Sequence, residues 1–203
     1  MQSVIIYVAK TTFHKTDTRQ EAKKNQSKYC KQIVSEIACE KLGLKPDEIV
    51  FLADENGKPY LKNAPEFHFN ISHTNSAVAA AISNKPIGVD IELIKPENSR
   101  LMNVAKKMFL PDEFEYITAQ DDGANKRFFE IWTRKEAYAK YIGTGIFAKD
   151  SEFTPMSFNV LNPGFDGRID TFFIEGSEFS FVLSVCGEYE LVKGEDILVC
   201  GKF

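Results

Sequence analysis

Three carboxylates and a small set of cations define the chemistry this chain is equipped for. Asp90 and Glu92 lie in the run Gly88-Val89-Asp90-Ile91-Glu92, whose alternation puts both acids on one face of a strand and Val89, Ile91 and Leu93 on the other. Carboxylates at neighbouring same-face positions repel, and strands are poor in Asp, so a bound cation would relieve the strain. A third acid, Glu136, is four residues from Trp132 and four from Lys140, which puts the three on one helical stripe with Lys135 close beside it. Oxygen-only ligands suit Mg²⁺ or Mn²⁺ better than zinc, and magnesium keeps waters and shares substrate phosphates. Lys58, His73, Lys135 and Lys140 are cations able to hold the rest of a phosphorylated substrate's charge. On these residues alone the expectation is metal-assisted phosphoryl or pyrophosphate chemistry.

The elements that must position these groups are legible to different degrees. Residues Phe128 to Lys140 form one long helix of strong helix formers, and Gly143 stands where a C-terminal cap belongs. A buried Trp beside a surface Glu-Lys pair is the plainer account of that helix taken alone. Phe67 to Ser72 alternates strictly, with Phe67, Phe69 and Ile71 towards the core and His68, Asn70 and Ser72 on the other face; His73 falls just past the strand. A hydroxyl, an amide and an imidazole converge there, as a ligand site or as ordinary structure. Ala77 to Ile82 reads as a buried strand, Ser83 to Pro86 as a turn, and Ile87 to Leu93 as its return.

Upstream, a strand over Ser3 to Val8 precedes a helix whose apolar face (Tyr29, Ile33, Val34, Ile37, Ala38) ends at Leu42-Gly43. Its lysines, Lys23, Lys24, Lys28 and Lys31, read either as a solvated face or as an anion-binding patch. A short strand, Ile49 to Leu52, leads into the turn Asp54-Glu55-Asn56-Gly57. Lys95 to Ser99 is the best linker, followed by a helix capped by Ser99 with Leu101, Val104, Ala105 and Met108 on one face. Pro111 opens another helix, and Asp121-Asp122-Gly123 separates it from the long one. After Gly145 the chain turns to β: Phe153 to Phe158, Ile169 to Ile174, Phe179 to Cys186, Tyr189 to Val192 and Ile197 to Cys200. Helix followed by several strands occurs twice, a weak internal duplication.

With 203 residues, 43% of them hydrophobic, the chain can bury a proper core as one domain or two small ones in contact. A net charge of −4 with interspersed acids and bases argues against nucleic-acid binding, so an anionic ligand must be held by local cations or a metal. The N-terminus lacks the basic and apolar regions of a signal peptide, and no stretch approaches membrane length. Cys30, Cys39, Cys186 and Cys200 have no metal-ligand spacing and read as reduced thiols. A cytoplasmic, monomeric protein is expected.

The set Phe69-Asn70-Ile71-Ser72-His73, Gly88-Val89-Asp90-Ile91-Glu92 and Trp132-Thr133-Arg134-Lys135-Glu136-Ala137-Tyr138-Ala139-Lys140, flanked by Gly57-Lys58-Pro59 and Gly143-Thr144-Gly145, resembles the signature motifs of 4′-phosphopantetheinyl transferases of the surfactin-synthetase-activating (Sfp) type. The resemblance spans Gly57 to Gly145, and the motifs agree in order and spacing. It implies an α+β fold of two similar halves related by pseudo-twofold symmetry, divided here as residues 1–94 and 95–203, with coenzyme A in the cleft between them. It implies Mg²⁺-dependent transfer of the phosphopantetheine arm from coenzyme A to a serine of an apo acyl or peptidyl carrier protein, releasing adenosine 3′,5′-bisphosphate. By position, Asp90, Glu92 and Glu136 would be metal ligands. Ser72 and His73 would bind the 3′-phosphate, Lys58 and Pro59 would line the adenine end, and Lys135 and Lys140 would contact the phosphates. Glu136, directly or through a metal-bound water, is the candidate for taking the serine proton and Lys140 for assisting the leaving group. Where the family offers an Arg in the first helix, this chain has Gln26 or Ser27. Arg100 to Phe109 reads either as the carrier-docking surface, through Met102, Met108, Phe109, Lys106 and Lys107, or as an ordinary amphipathic helix packed on its own half. A metal-dependent nucleotide or pyrophosphate hydrolase, and a non-catalytic coenzyme A binding module, are the competing functions.

Overall fold

The structure, a computed structural model, describes residues 4–11, 18–96, 99–119, 122–146, 154–176, 180–190 and 197–200. Strand β1 (Ile5–Lys10) leads to helix α1 (Arg19–Leu42). Thr18 caps α1 by accepting from the Glu21 amide while the Glu21 carboxylate accepts from the Thr18 amide, and Gly43 ends it at φ 67°. The helix starts about ten residues before its apolar stripe, because a capping box and long polar side chains suffice to extend it over the exposed, lysine-rich turns.

A small hairpin, β2 (Phe51–Ala53) and β3 (Pro59–Leu61), precedes β4 (His68–Thr74), β5 (Ala77–Ser83) and β6 (Ile87–Leu93). Three helices follow, α2 (Ser99–Met108), α3 (Pro111–Thr118) and α4 (Ala124–Ile142), and then strands β7 (Arg168–Glu175), β8 (Ser180–Gly187) and β9 (Ile197–Cys200). The fold class is α+β. The expected strand at Phe153 to Phe158 is absent over its described part, where Pro155–Ser157 forms a 3-10 turn; Pro155 has no N–H to give a ladder. Tyr189 and Glu190 are likewise irregular. Ser3, Glu97, Asn98, Asp121, Phe153, Phe179, Leu191 and Val192, which other expected elements include, and the side chains of Ser99 and Cys200, lie outside the described residues.

Two sheets carry the core. One runs β4-β5-β1-β9, antiparallel except for the β1–β9 pair; the other runs β6-β8-β7 and is antiparallel throughout. Helix α1 covers one face of the first sheet, setting Val34, Ile37 and Ala38 against Phe69, Ala80 and Ile82. The opposite face (Ile6, Val8, Ala79, Ala81) meets Val89, Ile91, Leu183 and Val185 of the second sheet. The far face of that sheet carries Val182 and Cys186 against α4. The order α1, sheet, sheet, α4 leaves β5 buried along its whole length, which explains its run of small Ala residues.

This layering places β6 on the same sheet as β7 and β8, beneath α4. Asp90 and Glu92 therefore share a sheet-helix unit with Glu136, and the turn between β5 and β6 carries the chain from the first sheet to the second. Helix α2 turns its apolar side inward: Ala105 and Phe109 are buried, and Leu101, Met102, Val104 and Met108 pack against the α4 core, while Lys106 and Lys107 are exposed. Among the described residues no helix is long and apolar enough to cross a membrane. Cys30, Cys39 and Cys186 are free thiols; burial pushes Cys30 up to about 12 and Cys186 higher still, which keeps both unreactive.

Candidate functional site

The alternate polar residues of β4 stitch the two sheets together. Asn70 Oδ1 accepts from the Val89 amide at 2.9 Å, and Ser72 Oγ donates to Asp90 Oδ1 at 2.7 Å and accepts from the Ile91 amide at 3.4 Å. Thr74 Oγ1 donates to Glu92 Oε2 at 3.4 Å. β4 and β6 are not ladder partners, so these side chains satisfy backbone groups along β6 that would otherwise be buried alone. The polar face of this strand is therefore an internal seam. β4 also continues to Thr74, so His73 lies within the strand and on the opposite face from Ser72.

On the other side of β6, α4 comes unusually close. A Cβ added to Gly88 would lie 2.0 Å from the Ala137 carbonyl oxygen and 2.5 Å from the Tyr141 amide nitrogen, so only glycine lets the helix backbone rest on the strand here. Deeper in, Thr133 Oγ1 and Ser184 Oγ are 2.9 Å apart and Ser184 Oγ and Thr171 Oγ1 are 3.0 Å apart, a buried hydroxyl chain that sets the helix on the sheet. That contact delivers Glu136 and Lys140 to the carboxylates of β6.

The result is a cleft of about 720 Å³ whose walls include Ser72, His73, Asp90, Glu92, Glu136 and Lys140, with Ser27 and Lys31 of α1 and Phe51, Gly57 and Pro59 of the hairpin. Lys140 Nζ donates to Asp90 Oδ1 at 2.7 Å and to Ser72 Oγ at 2.9 Å. Asp90 Oδ2 is buried with no hydrogen-bond partner. Burial, then the proximity of Asp90, pushes the Glu136 carboxyl up to about 7; Lys140 offsets part of this and Glu92 adds to it. Glu92 is pushed up as well, by burial and then by Asp90. His73 is pushed down by burial and then by the Lys140 and Lys23 ammonium groups, which favours the neutral ring.

Could these groups hold a divalent cation? Three acidic side chains are electrostatically coupled in one cleft, and one buried carboxylate oxygen is left unpaired, a donor set and an orphaned atom that a hard cation fits. Among the described residues no three His, Cys, Asp or Glu side chains already stand in metal-ligating proximity; Asp90 Oδ1 is committed to Lys140 and Ser72.

Three expected contacts lie elsewhere. Lys135 is fully buried on the far side of α4, donating to Glu113 Oε1 at 2.9 Å and to the carbonyls of Met156 and Phe158 at 3.0 and 2.7 Å, so it reaches no phosphate. At 3.6 residues per turn, a residue one position before Glu136 points about 100° away from the cleft stripe. Glu113 is in turn anchored by the Leu110 and Val160 amides. Lys58 Nζ is turned to the backbone at the end of α4, donating to the Lys140 carbonyl at 2.6 Å. The Ser72 hydroxyl is saturated by Asp90, Lys140 and Ile91, and Gln26 is buried, donating to the Thr74 carbonyl, so neither is free for a nucleotide. Sequence reasoning missed Glu113 and Ser184, which carried no signal beyond polarity. Gly88 did carry one, a glycine inside an otherwise β-forming run.

The model of the 4′-phosphopantetheinyl transferase superfamily matches residues 86–190, and that of the 4′-phosphopantetheinyl transferase N-terminal region matches residues 10–85. The chain is similar to 4′-phosphopantetheinyl transferase psf-1 of Bacillus pumilus, 36% identical over 60% of this chain and 52% of that protein. A 4′-phosphopantetheinyl transferase of Bacillus subtilis is 36% identical over 56% of this chain and 50% of the relative. Another from Bacillus subtilis, ffp, is 30% identical over 83% and 70%. The chain thus spans about half the length of the first two relatives in these matches. With one family model covering residues 86–190, about half of the chain, the chain belongs to the 4′-phosphopantetheinyl transferase superfamily.

Proposed function

We propose that this protein transfers the 4′-phosphopantetheine arm of coenzyme A to a serine hydroxyl of an apo acyl or peptidyl carrier protein, releasing adenosine 3′,5′-bisphosphate. The observation that carries this reading is the cleft in which Glu136, Asp90, Glu92 and Lys140 converge, with Glu136 pushed up to about 7. Coenzyme A would lie between the hairpin and α1 on one side and the α4–β6 contact on the other, a cleft between two α/β units. Gly57 and Pro59 would line its adenine end. His73 and Lys31 line the same cleft and would face the 3′-phosphate.

Asp90, Glu92 and Glu136 would hold Mg²⁺ or Mn²⁺, which when bound neutralises charge on the pyrophosphate. The chain's own groups do the rest. Glu136, in the wall of the cleft beside Asp90 and Lys140, would accept the proton of the carrier serine as the serine oxygen forms a bond to the phosphopantetheine phosphorus. Lys140, freed from Asp90, donates to the bridging oxygen as its bond to that phosphorus breaks and the bisphosphate leaves. The carrier would approach over the exposed Lys106 and Lys107 of α2, whose charges suit an acidic helix.

The test is incubation with coenzyme A, Mg²⁺ and apo carriers, read by mass spectrometry. A carrier mass gain of one phosphopantetheine is expected, lost in Glu136→Gln. Cleavage of coenzyme A without carrier modification would replace the transferase with a hydrolase, and binding without turnover would leave a coenzyme-binding module.

A further inference from the structure

Lys58 sits in the turn of the β2–β3 hairpin, yet its side chain ends on another part of the molecule. Its ammonium donates to the carbonyls of Lys140 at 2.6 Å and Tyr141 at 3.2 Å in α4, and of Ile87 at 3.4 Å at the start of β6. Three carbonyl acceptors meet three N–H donors, so nothing is left to give a phosphate. The last four carbonyls of a helix have no partner within it. In α4, Ala139 O accepts from the Gly143 and Thr144 amides, and Lys140 O and Tyr141 O accept from Lys58. A cation at this end also complements the helix dipole.

The turn that presents Lys58 is itself built for the purpose. Asp54 Oδ1 accepts from the Asn56 amide at 3.0 Å and the Lys58 amide at 2.8 Å, the Asp54 amide donates to Lys58 O at 3.0 Å, and Gly57 adopts φ 83°. The main chain of Lys58 is thus fixed from both sides, and its side chain spans from the cleft's hairpin wall to its helical wall. Lys140 occupies the same residue as one of the carbonyls that Lys58 holds. Gly88, one residue past Ile87, is where α4 rests on β6.

We infer that Lys58 is a positioning residue, a clasp that caps the end of α4 from the hairpin and so holds Lys140 opposite Asp90 while fixing Gly57 and Pro59 against the same helix. The clasp joins three elements, the hairpin, β6 and α4, at one ammonium. Its catalytic consequence rests on the transferase reading above; its structural part does not.

Amide hydrogen exchange and kinetics of Lys58→Met and Lys58→Arg separate the two. Methionine keeps an apolar stem of similar length but gives no donors, so protection at amides 140–144 falls by about 10- to 30-fold while that of the first turns of α4 stays as in the parent protein. Arginine, with donors and charge, restores part of it. Unchanged protection at 140–144 in Lys58→Met overturns the clasp, whatever the enzyme does. With coenzyme A and an apo carrier, kcat of Lys58→Met falls about tenfold with KM for coenzyme A within a factor of about two. In Lys58→Met/Lys140→Ala the loss equals that of Lys140→Ala alone, because Lys58 acts through Lys140. A rise in KM for coenzyme A with kcat preserved, or losses that multiply in the double variant, would make Lys58 an independent coenzyme contact. A parent protein without transferase activity would dismiss the function and leave the exchange result to decide the clasp.

Discussion

Glu136 and Lys135 are neighbours in sequence with opposite fates. The Glu136 carboxyl, near 7 against an ordinary 4.5, keeps its proton in the folded protein over a range in which the unfolded chain has lost it. Its contribution to stability is therefore complete below about pH 4.5 and lost as pH rises through about 7. Without divalent cation, thermal stability should decline across that window, and added Mg²⁺, which needs ionised ligands, should raise the melting temperature more at pH 8 than at pH 5. Thermal melts with and without Mg²⁺ measure this, and Glu136→Gln should flatten the response; an equal Mg²⁺ effect at both pH values would count against the acidic site. Lys135, by contrast, forms a fully buried pair with Glu113. Lys135→Ala leaves that carboxylate buried without its counter-charge, held only by the Leu110 and Val160 amides, a loss of about 3–5 kcal/mol by chemical denaturation, whereas Lys135→Met combined with Glu113→Leu should cost less than Lys135→Ala alone. Burial already pushes the Lys135 ammonium down, the direction expected of a charge sheltered from water.

At the scale of elements, the decisive contact is α4 on β6. Strand alternation put Asp90 and Glu92 on one face, and helical spacing put Glu136 and Lys140 on one stripe; both periodicities hold in the structure. What neither periodicity contains is how near the two elements lie. Gly88 sets that, and Gly88→Ala must push the helix backbone off the strand, since the atoms in the way are main-chain. We expect a loss of about 1–3 kcal/mol or more in stability by denaturant titration, and a fall in kcat that exceeds any rise in KM for coenzyme A. The polar face of β4 teaches the complementary lesson. Asn70, Ser72 and Thr74 alternate as a solvent-facing or ligand-facing set would, yet they are seam residues, because the partner of that face is β6 rather than water.

Over the whole molecule, the order α1, sheet, sheet, α4 buries both inner sheet faces and leaves the cleft along the seam where the hairpin, α1, β4, β6 and α4 converge. In the proposed reaction the carrier approaches over α2. Met102, Met108 and Phe109 are drawn into the core, so only the charges of α2 remain for it. Lys106→Glu combined with Lys107→Glu should raise KM for an acidic apo carrier about tenfold, steeply dependent on salt, with KM for coenzyme A unchanged; steady-state kinetics at low and moderate ionic strength decide it. An unchanged carrier KM would move docking off this helix.

By itself the sequence determined which charged residues share a periodic face. Charge type and local spacing are properties of a few neighbouring residues, and so Asp90, Glu92, Glu136 and Lys140 were legible together with the helix that ends at Gly143. Only the tertiary structure decided partners. It sent Lys135 to Glu113 and Lys58 to the end of α4, closed Ser72 between Asp90 and Lys140, and moved β6 from the sheet of β5 to that of β8. Each depends on a residue far away along the chain, and the cost of burying a charge or a backbone group without a partner is what selects among the contacts that local pattern leaves open.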